Sequence, residues 1–415
     1  YGSPKYNLII MHQRIQETED IMLIINGRIY TMAESGDGQS TLKYENGYIL
    51  VKDGKIQAVG PMDECPGNSE IIDAKGRYVL PGLVDAHTHV GMTEDAVGFE
   101  GDDLNEMTDP VTPHLRAIDA IYHADRSFEE ARQWGVTTVL SGPGSSNVIC
   151  GQFAALKTYG RSVDEMILKE PCALKVAFGE NPKTVYHEKN HAPSTRMATA
   201  AILREQFYKA REYMEAWDEY MKDSEENDKP EFDIRLEALI PALKGDLIVK
   251  IHAHRTDDIL TAIRIAKEFN LKITIDHCTE GYLIADILKE NNIKVILGPM
   301  LTDRSKIELR NQTLAAPGIL AKAGIPVAIM TDHPCVPIQH LLLCAAIAVR
   351  EGMPEEDALK AITINAARAA GIDDRVGSLE AGKDADIAIY SGYPFDFKTK
   401  VDMTIINGKI VYTRE

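Results

Sequence analysis

The 415-residue sequence predicts an α/β protein organised around a (β/α) barrel. Short apolar, β-branched runs, such as 247–251, 272–275 and 325–330, have the composition of strands buried on both faces, the pattern of a parallel sheet. Plausible helices follow two of these runs, at 257–269 and 281–290. A strand followed by a helix, repeated along the chain, is typical of such barrels.

The two ends of the chain differ from its middle, because both read as short strands joined by turns. Asn26-Gly27 and Asp53-Gly54 are strong hairpin signals in the first part. Apolar runs near 386–390 and 403–412 repeat the pattern at the C-terminus. We therefore expect a small β-sandwich built from both termini. The predicted units are an extension at 1–20, sandwich parts at 21–78 and 371–415, and a barrel at 79–370.

A charged stretch at 194–244 interrupts the barrel pattern and predicts a long helical insert. Its central part, 205–220, mixes aromatic with acidic and basic residues, and 224–230 has the composition of an exposed loop. A solvated helical excursion is the expected structure. A lid or an oligomer contact is the alternative.

Composition excludes several classes of partner. The formal net charge of −18 argues against nucleic acid, which needs a basic face, and disfavours anionic membranes. The six cysteines contain no Cys-x-x-Cys pair, which fits reduced thiols in the cytoplasm. No apolar run reaches the length of a membrane span, and residues 1–20 lack the order of a signal peptide. We expect a cytoplasmic homo-oligomer with a small-molecule substrate.

Residues suited to metal binding follow the predicted strands at the ends where barrel chemistry is found. They are His87, His89, His252, His254, His277 and Asp332. Side chains separated by one residue on a strand face the same way, so each His-x-His pair can point inward together. Nitrogen and carboxylate ligands suit Zn²⁺, Mn²⁺ or Fe²⁺ better than Ca²⁺. Zn²⁺ is the expected ion, with one or two per chain.

These residues lie in segments that resemble the amidohydrolase superfamily, in particular its imidazolonepropionase-related and prolidase-like branch. The matching segments are 81–89, 252–254, 276–277 and 331–332, with flanking segments 26–30, 51–56 and 377–386. The resemblance covers roughly residues 20–415. It implies a (β/α)8 TIM barrel, and seven of its strands are clear from the apolar pattern: 84–89, 137–141, 173–178, 247–252, 272–276, 293–297 and 325–330. The eighth, near 152–158, is inferred from closure and from the family.

The resemblance also implies roles for particular residues. His87, His89 and Asp332 are expected metal ligands, and His277 is expected to bind a second ion if the site holds two. At the end of its fifth barrel strand, which corresponds to 247–252 here, the family has a His followed three residues later by an acid. His254 with Asp257 fits that spacing, so His254 is the predicted ligand and His252 a packing or supporting residue.

A pair of metals needs a bridging group from the middle of the barrel. Glu180, just past a strand end, is the favoured candidate. Lys175, inside the strand, could serve only as a carbamate formed with CO₂, as in many relatives.

The expected chemistry is hydrolysis of an amide-like C–N bond. Metal coordination lowers the pKa of water from 15.7 toward roughly 7, and Asp332 can move the proton to the leaving nitrogen. The substrate is expected to be a cyclic amide or a short acylated amino acid. A deaminase of an aminated ring is the alternative. A catalytically silent scaffold is disfavoured because the ligand set is complete.

Three residues are candidates for substrate binding. Lys183 and Arg304 are basic residues near strand ends that could pair with a substrate carboxylate, or form ordinary surface ion pairs. Tyr186 follows Glu180 and could line the pocket.

Overall fold

The computed structural model describes residues 21–34, 41–67, 70–94 and 98–415. The predicted extension, 1–20, lies outside the described residues. Strands of the described chain form two sheets, each of eight strands. One is the barrel, and the other is built from both chain ends.

The sheet from the chain ends has the order β16-β15-β14-β5-β1-β2-β3, with β4 paired to β1. Its strands are β1 (Ile21–Glu34), β2 (Thr41–Lys52), β3 (Lys55–Pro61), β4 (Glu70–Asp73), β5 (Tyr78–Pro81), β14 (Ile387–Tyr390), β15 (Val401–Ile406) and β16 (Lys409–Thr413). β14 pairs antiparallel with β5, placing Ile387 opposite Pro81. The predicted union of the two termini is therefore confirmed.

The two hairpin signals have different outcomes. Asp53-Gly54 is the turn between β2 and β3, and both residues have the positive φ that such turns need (51° and 75°). Asn26-Gly27 is not a hairpin, because β1 continues through it with a register shift against β2. The irregularity lets β1 pair first with β4 and then with β5.

The barrel sheet has the order β13-β12-β11-β10-β9-β8-β7-β6. Its strands are β6 (Leu83–Thr88), β7 (Val136–Ser141), β8 (Ile149–Lys157), β9 (Ile167–Ala177), β10 (Ile248–Ala253), β11 (Ile273–His277), β12 (Lys294–Leu297) and β13 (Val327–Ile329). Backbone hydrogen bonds just past the two end strands draw them together: His89 N–H donates to the His333 carbonyl at 2.9 Å, and Asp332 N–H to the His87 carbonyl at 3.1 Å. The predicted eight-stranded barrel is thus confirmed.

One strand departs from the (β/α)8 pattern. β8 runs antiparallel to both β7 and β9. The connection from β7 to β8 covers only residues 142–148. A parallel neighbour needs a crossover of about a dozen residues or more, so this short loop forces the strand to reverse.

Helices cover the barrel. They are α1 (Arg126–Gln133), α2 (Val163–Met166), α3 (Glu180–Glu188), α4 (Arg196–Lys222), α5 (Ile234–Glu237), α6 (Ile240–Leu243), α7 (Thr256–Phe269), α8 (Ala285–Glu290), α9 (Ala316–Lys322), α10 (Leu341–Arg350), α11 (Glu355–Ala361) and α12 (Ile364–Ala370). None of the helices in the described part of the chain combines the length and apolar character needed to cross a bilayer.

The predicted insert at 194–244 is not a purely solvated excursion. Its long helix α4 buries Leu203, Phe207 and Ala210 in the main core. The Phe207 ring packs against Phe269 of α7, with ring centroids 5.4 Å apart. α4 therefore belongs to the helical layer between β9 and β10, while its opposite face remains exposed.

Phe207→Ala is expected to lower the free energy of unfolding by about 3–5 kcal/mol, the cost of deleting a buried aromatic ring. Urea unfolding measures the change. Met221→Ala, at the exposed end of the same helix, is the control and should change stability by no more than about 0.5 kcal/mol. Equal stability of the two variants would show that α4 is not part of the core.

Candidate metal centre

Two clusters of potential metal ligands lie at the rim of the barrel. One consists of His87, His89 and Asp332, and the other of His252, His254 and His277. Within each cluster the candidate ligand atoms all lie within 4.8 Å of one another, and all six residues are buried. The strand ends thus bring together the imidazoles and carboxylate that the sequence pattern singled out.

The first cluster is held in a defined orientation. The His89 Nδ1–H group donates to the Gly142 carbonyl at 2.7 Å, and the His87 Nδ1–H group to Asp276 Oδ2 at 2.6 Å. Each Nε2 therefore carries the lone pair, and Asp332 Oδ1 lies 3.4 Å from Nε2 of His87 and 3.3 Å from Nε2 of His89. Burial lowers the pKa of His87 well below 6.5, which keeps this imidazole neutral.

A buried polar layer below this cluster fixes His87. Asp276 accepts hydrogen bonds from Thr274 Oγ1 at 2.8 Å and forms an ion pair with Lys250 at 2.9 Å. Lys250 also donates to the Ala86 carbonyl at 2.9 Å. From the sequence, Asp276 matches the family only as the neighbour of His277, because no pattern along the chain indicates contact between the strands that carry Asp276 and His87.

Asp276→Asn is expected to weaken both the fold and the metal centre. Buried Lys250 would lose its carboxylate partner, which costs about 3–5 kcal/mol in the free energy of unfolding. Loss of the carboxylate behind His87 should lower metal affinity by about 10- to 100-fold. Urea unfolding of metal-free protein and zinc titration measure the two effects. Asp286→Asn on exposed α8 is the control, and equal behaviour of the two variants would contradict the assignment.

The second cluster contains one imidazole with a clear tautomer and one with an unpaired nitrogen. His277 Nδ1–H donates to the Gly298 carbonyl at 2.9 Å, so its Nε2 carries the lone pair. His252 Nδ1 is buried and has no hydrogen-bond partner among the described residues. The His252 and His277 ring centroids are 4.2 Å apart. The buried Nδ1 of His252 and Nε2 of His277 can therefore both serve as ligands to a cation.

His254, the ligand predicted at the fifth barrel strand (β10), lies in the same cluster, but both of its ring nitrogens lie near other side chains. Its Nδ1 is 2.7 Å from Thr279 Oγ1, and its Nε2 is 3.7 Å from Glu308 Oε1. Burial lowers its pKa to about 3. Asp257, whose spacing suggested this choice, turns away and pairs with Arg255 at 3.0 Å.

The structure separates the two candidates for the bridging group. Lys175 is completely buried inside the barrel, with Nζ 3.0 Å from His87 Nε2. Glu180, the favoured candidate, begins α3 and belongs to neither ligand cluster; its backbone N–H donates to Glu308 Oε2 at 2.9 Å. Glu180, which the sequence favoured, lies past the end of β9. Lys175, which lies within β9, is the residue that reaches His87 of the first cluster.

Backbone conformation at two strand ends is unusual. His277 and Asp332 have φ angles of 68° and 55°. Positive φ is uncommon for residues other than glycine and is concentrated at functional sites. The sharp change of direction at both positions directs these side chains toward the barrel axis.

A cavity of about 650 Å³ lies above both clusters. His89, His254 and Asp332 form part of its wall, together with Asn181 and Lys306. A small organic molecule fits a cavity of this size.

None of the three predicted substrate-binding residues lines this cavity. Lys183 faces a neighbouring cavity of about 410 Å³ on the outer side of α3. Arg304 is exposed and donates to the Gln312 carbonyl at 2.8 Å. Tyr186 is 1% exposed, and its hydroxyl donates to Asn147 Oδ1 at 2.6 Å, so it packs in the core. The sequence missed Asn181 and Lys306, although each lies within two residues of a named candidate.

Comparison with known proteins identifies the family. The Amidohydrolase family model matches residues 233–411. The amidohydrolase tasK of Hapsidospora irregularis is 30% identical over 84% of this chain, which spans 38% of that protein's length. An imidazolonepropionase of Bacillus cytotoxicus is 26% identical, covering 95% of this chain and 97% of that protein.

A solved structure gives a match over the full length of its chain. The crystal structure of an amidohydrolase from Thermotoga maritima is 42% identical, with a TM-score of 0.89, and the match covers 95% of this chain and 100% of that one. The shared barrel, the shared sheet from both termini and this level of identity lead to one conclusion. The chain belongs to the amidohydrolase family of hydrolases that act on carbon–nitrogen bonds.

Proposed function

We propose that this protein hydrolyses the amide C–N bond of a small molecule with the help of one or two divalent metal ions. The observation that carries the proposal is the pair of ligand clusters facing a common cavity. His87, His89 and Asp332 would hold the first ion. The prediction of cytoplasmic location and that of homo-oligomeric assembly stay predictions.

The donor set fits a borderline divalent cation. Neutral imidazole nitrogens and a carboxylate oxygen are ligands for Zn²⁺, Mn²⁺ and Fe²⁺, and Zn²⁺ is our proposal. When bound, such an ion polarises a carbonyl group and lowers the pKa of water toward about 7. Burial of the imidazoles supports this fit, because desolvation lowers the pKa of His87, His252 and His277 well below 6.5.

For the second ion we now favour His252 over His254. The unpaired buried Nδ1 of His252 would gain a partner from a cation, whereas His254 is already held by Thr279. In the strand register His252 lies opposite Ala177 of β9, two residues beyond Lys175. His252 and His277 would therefore bind at the same side of the barrel as Lys175.

Lys175 is the proposed bridging residue, as its carbamate. Addition of the Nζ amine to CO₂ with loss of a proton forms an anionic carbamate with two oxygen atoms. The reaction requires a neutral amine, and burial lowers the pKa of Lys175 from 10.5, which favours that form. The position of Nζ beside His87 supports this assignment over Glu180.

Asp332 is the proposed proton carrier. Its carboxylate lies beside His87 and His89 and also lines the cavity, so it can reach both the attacking water and the substrate. It would accept a proton from the water and donate it to the leaving nitrogen, a role worth about 10²- to 10⁴-fold in rate.

A substrate panel with metal analysis tests the function. We expect the zinc-loaded protein to hydrolyse a member of a panel of N-acyl amino acids, dipeptides and lactams, and chelation to abolish turnover reversibly. Full activity after chelation would contradict the proposal. Release of ammonia from aminated rings, without amide hydrolysis, would identify the deaminase alternative.

A further inference from the structure

One cationic side chain in the cavity wall, that of Lys306, forms no ion pair with any carboxylate in the described part of the chain. Lys306 lies in the loop after β12, directly before the short 3-10 turn Ile307–Leu309. Its Nζ is 2.5 Å from Asn181 Oδ1, and within the described ranges no carboxylate forms an ion pair with it. The ammonium group therefore faces the cavity with one neutral contact.

Two further polar groups continue from Lys306 across the same wall. Asn181 Nδ2 donates to Ser145 Oγ at 2.8 Å and lies 3.5 Å from His252 Nε2. Ser145 belongs to the β7–β8 loop, and Asn181 to the start of α3 after β9. Three separate connections thus bring an ammonium, an amide and a hydroxyl group to one wall of the cavity.

Two other basic side chains in this region, Arg255 and Arg196, are neutralised by ion pairs. Arg255 pairs with Asp257 at 3.0 Å, and Arg196 pairs with Asp258 at 3.0 Å. They cannot attract an anion as strongly as Lys306 can, because their charges are balanced locally.

Two carboxylates, those of Glu180 and Glu308, lie near this wall, and Glu308 interacts with the ammonium charge of Lys306 from beyond ion-pair distance. Glu308 is fully buried, and its Oε2 accepts the Glu180 N–H. Neither Glu308 nor Glu180 forms an ion pair with Lys306 among the described residues. The ammonium group consequently remains available to an anion that enters from the cavity.

We propose that Lys306, Asn181 and Ser145 form a subsite for a substrate carboxylate, so that the preferred amides carry a free acid group. A carboxylate has two oxygens that can accept from several donors at once, and a bond to an ammonium group is charge-assisted. The preference for acid-bearing amides rests on the proposed function for the reaction, although binding can be measured without turnover.

The test compares N-acetyl-L-alanine with N-acetyl-L-alaninamide, which lacks the anionic group. By isothermal titration calorimetry, zinc-loaded wild-type protein should bind the acid roughly 10- to 100-fold more tightly than the amide, the range for a hydrogen bond to a charged group. Lys306→Met should remove this preference, and Lys306→Arg should keep much of it. Lys244→Met, an exposed lysine after α6, is the matched control and should keep the wild-type preference.

Each outcome decides the subsite independently of catalysis. Equal binding of the two probes by wild-type protein, or an unchanged preference in Lys306→Met, would overturn the proposal. A clear acid preference without hydrolysis of any amide would support the subsite and count against the proposed reaction. Asn181→Ala removes a neutral donor and should partially reduce the preference for the acid. This variant tests the proposal if Lys306→Met does not fold, and an unchanged preference in it would then overturn the proposal.

Discussion

Asp332→Asn is expected to lower kcat/KM by about 10²- to 10⁴-fold while the barrel stays folded. Asparagine has the shape of aspartate and keeps one oxygen near His87 and His89, but it cannot accept the proton from water. Steady-state kinetics on the substrate identified from the panel measures the effect, and thermal unfolding verifies the fold.

Metal content has to be measured on the same sample, because Asp332 is also a proposed ligand. A variant that retains its metal and loses turnover supports the role in proton transfer. Near-normal turnover with full metal content would show that the role is wrong. Asp286→Asn, exposed on α8, controls for loss of one surface charge.

Lys175→Ala is expected to lose bound metal and at least about 100-fold in turnover. Replacing groups that only support metal ligands costs about 10- to 100-fold, so losing a bridging ligand should cost no less. The cavity left by the side chain can admit a short carboxylate in place of the carbamate. Added propionate should therefore restore part of the metal content and activity, as measured by metal analysis and kinetics.

Glu180→Gln is the matched comparison for the bridging group. It should retain the metal content of the wild-type protein, because Glu180 begins α3 outside both ligand clusters. The reverse result, with metal lost from Glu180→Gln and retained in Lys175→Ala, would restore the assignment made from the sequence.

Much of the barrel could be predicted because its strands are buried on both faces and so appear as apolar runs. The direction of β8 could not. The apolar pattern does not mark this strand clearly, and its direction depends on whether the preceding connection is long enough for a crossover. The information lies in the loop at 142–148, whose seven residues are too few for a crossover to a parallel strand.

The site could be predicted where the alternation of side chains along a strand determines which way each side chain points. His87 and His89 face the same way because strand residues alternate, and the same rule brings both His252 and His254 inward. The choice between Lys175 and Glu180 depends instead on how deep the cluster lies in the barrel. Tyr186 was expected in the pocket but is buried in the core. The sequence does not show which face of α3 packs against the barrel, and Tyr186 lies on that face.

The pairing of β5 with β14 has a consequence for synthesis of the protein. β5 ends at Pro81, immediately before the strand that leads to His87, but its partner opposite Pro81 is Ile387. A ribosome must therefore make the whole barrel before this edge is covered, and the early part of the chain waits with unpaired backbone groups. Synthesis of residues 387–390 supplies the missing partner, so this edge of β5 is covered only after all eight barrel strands have been made.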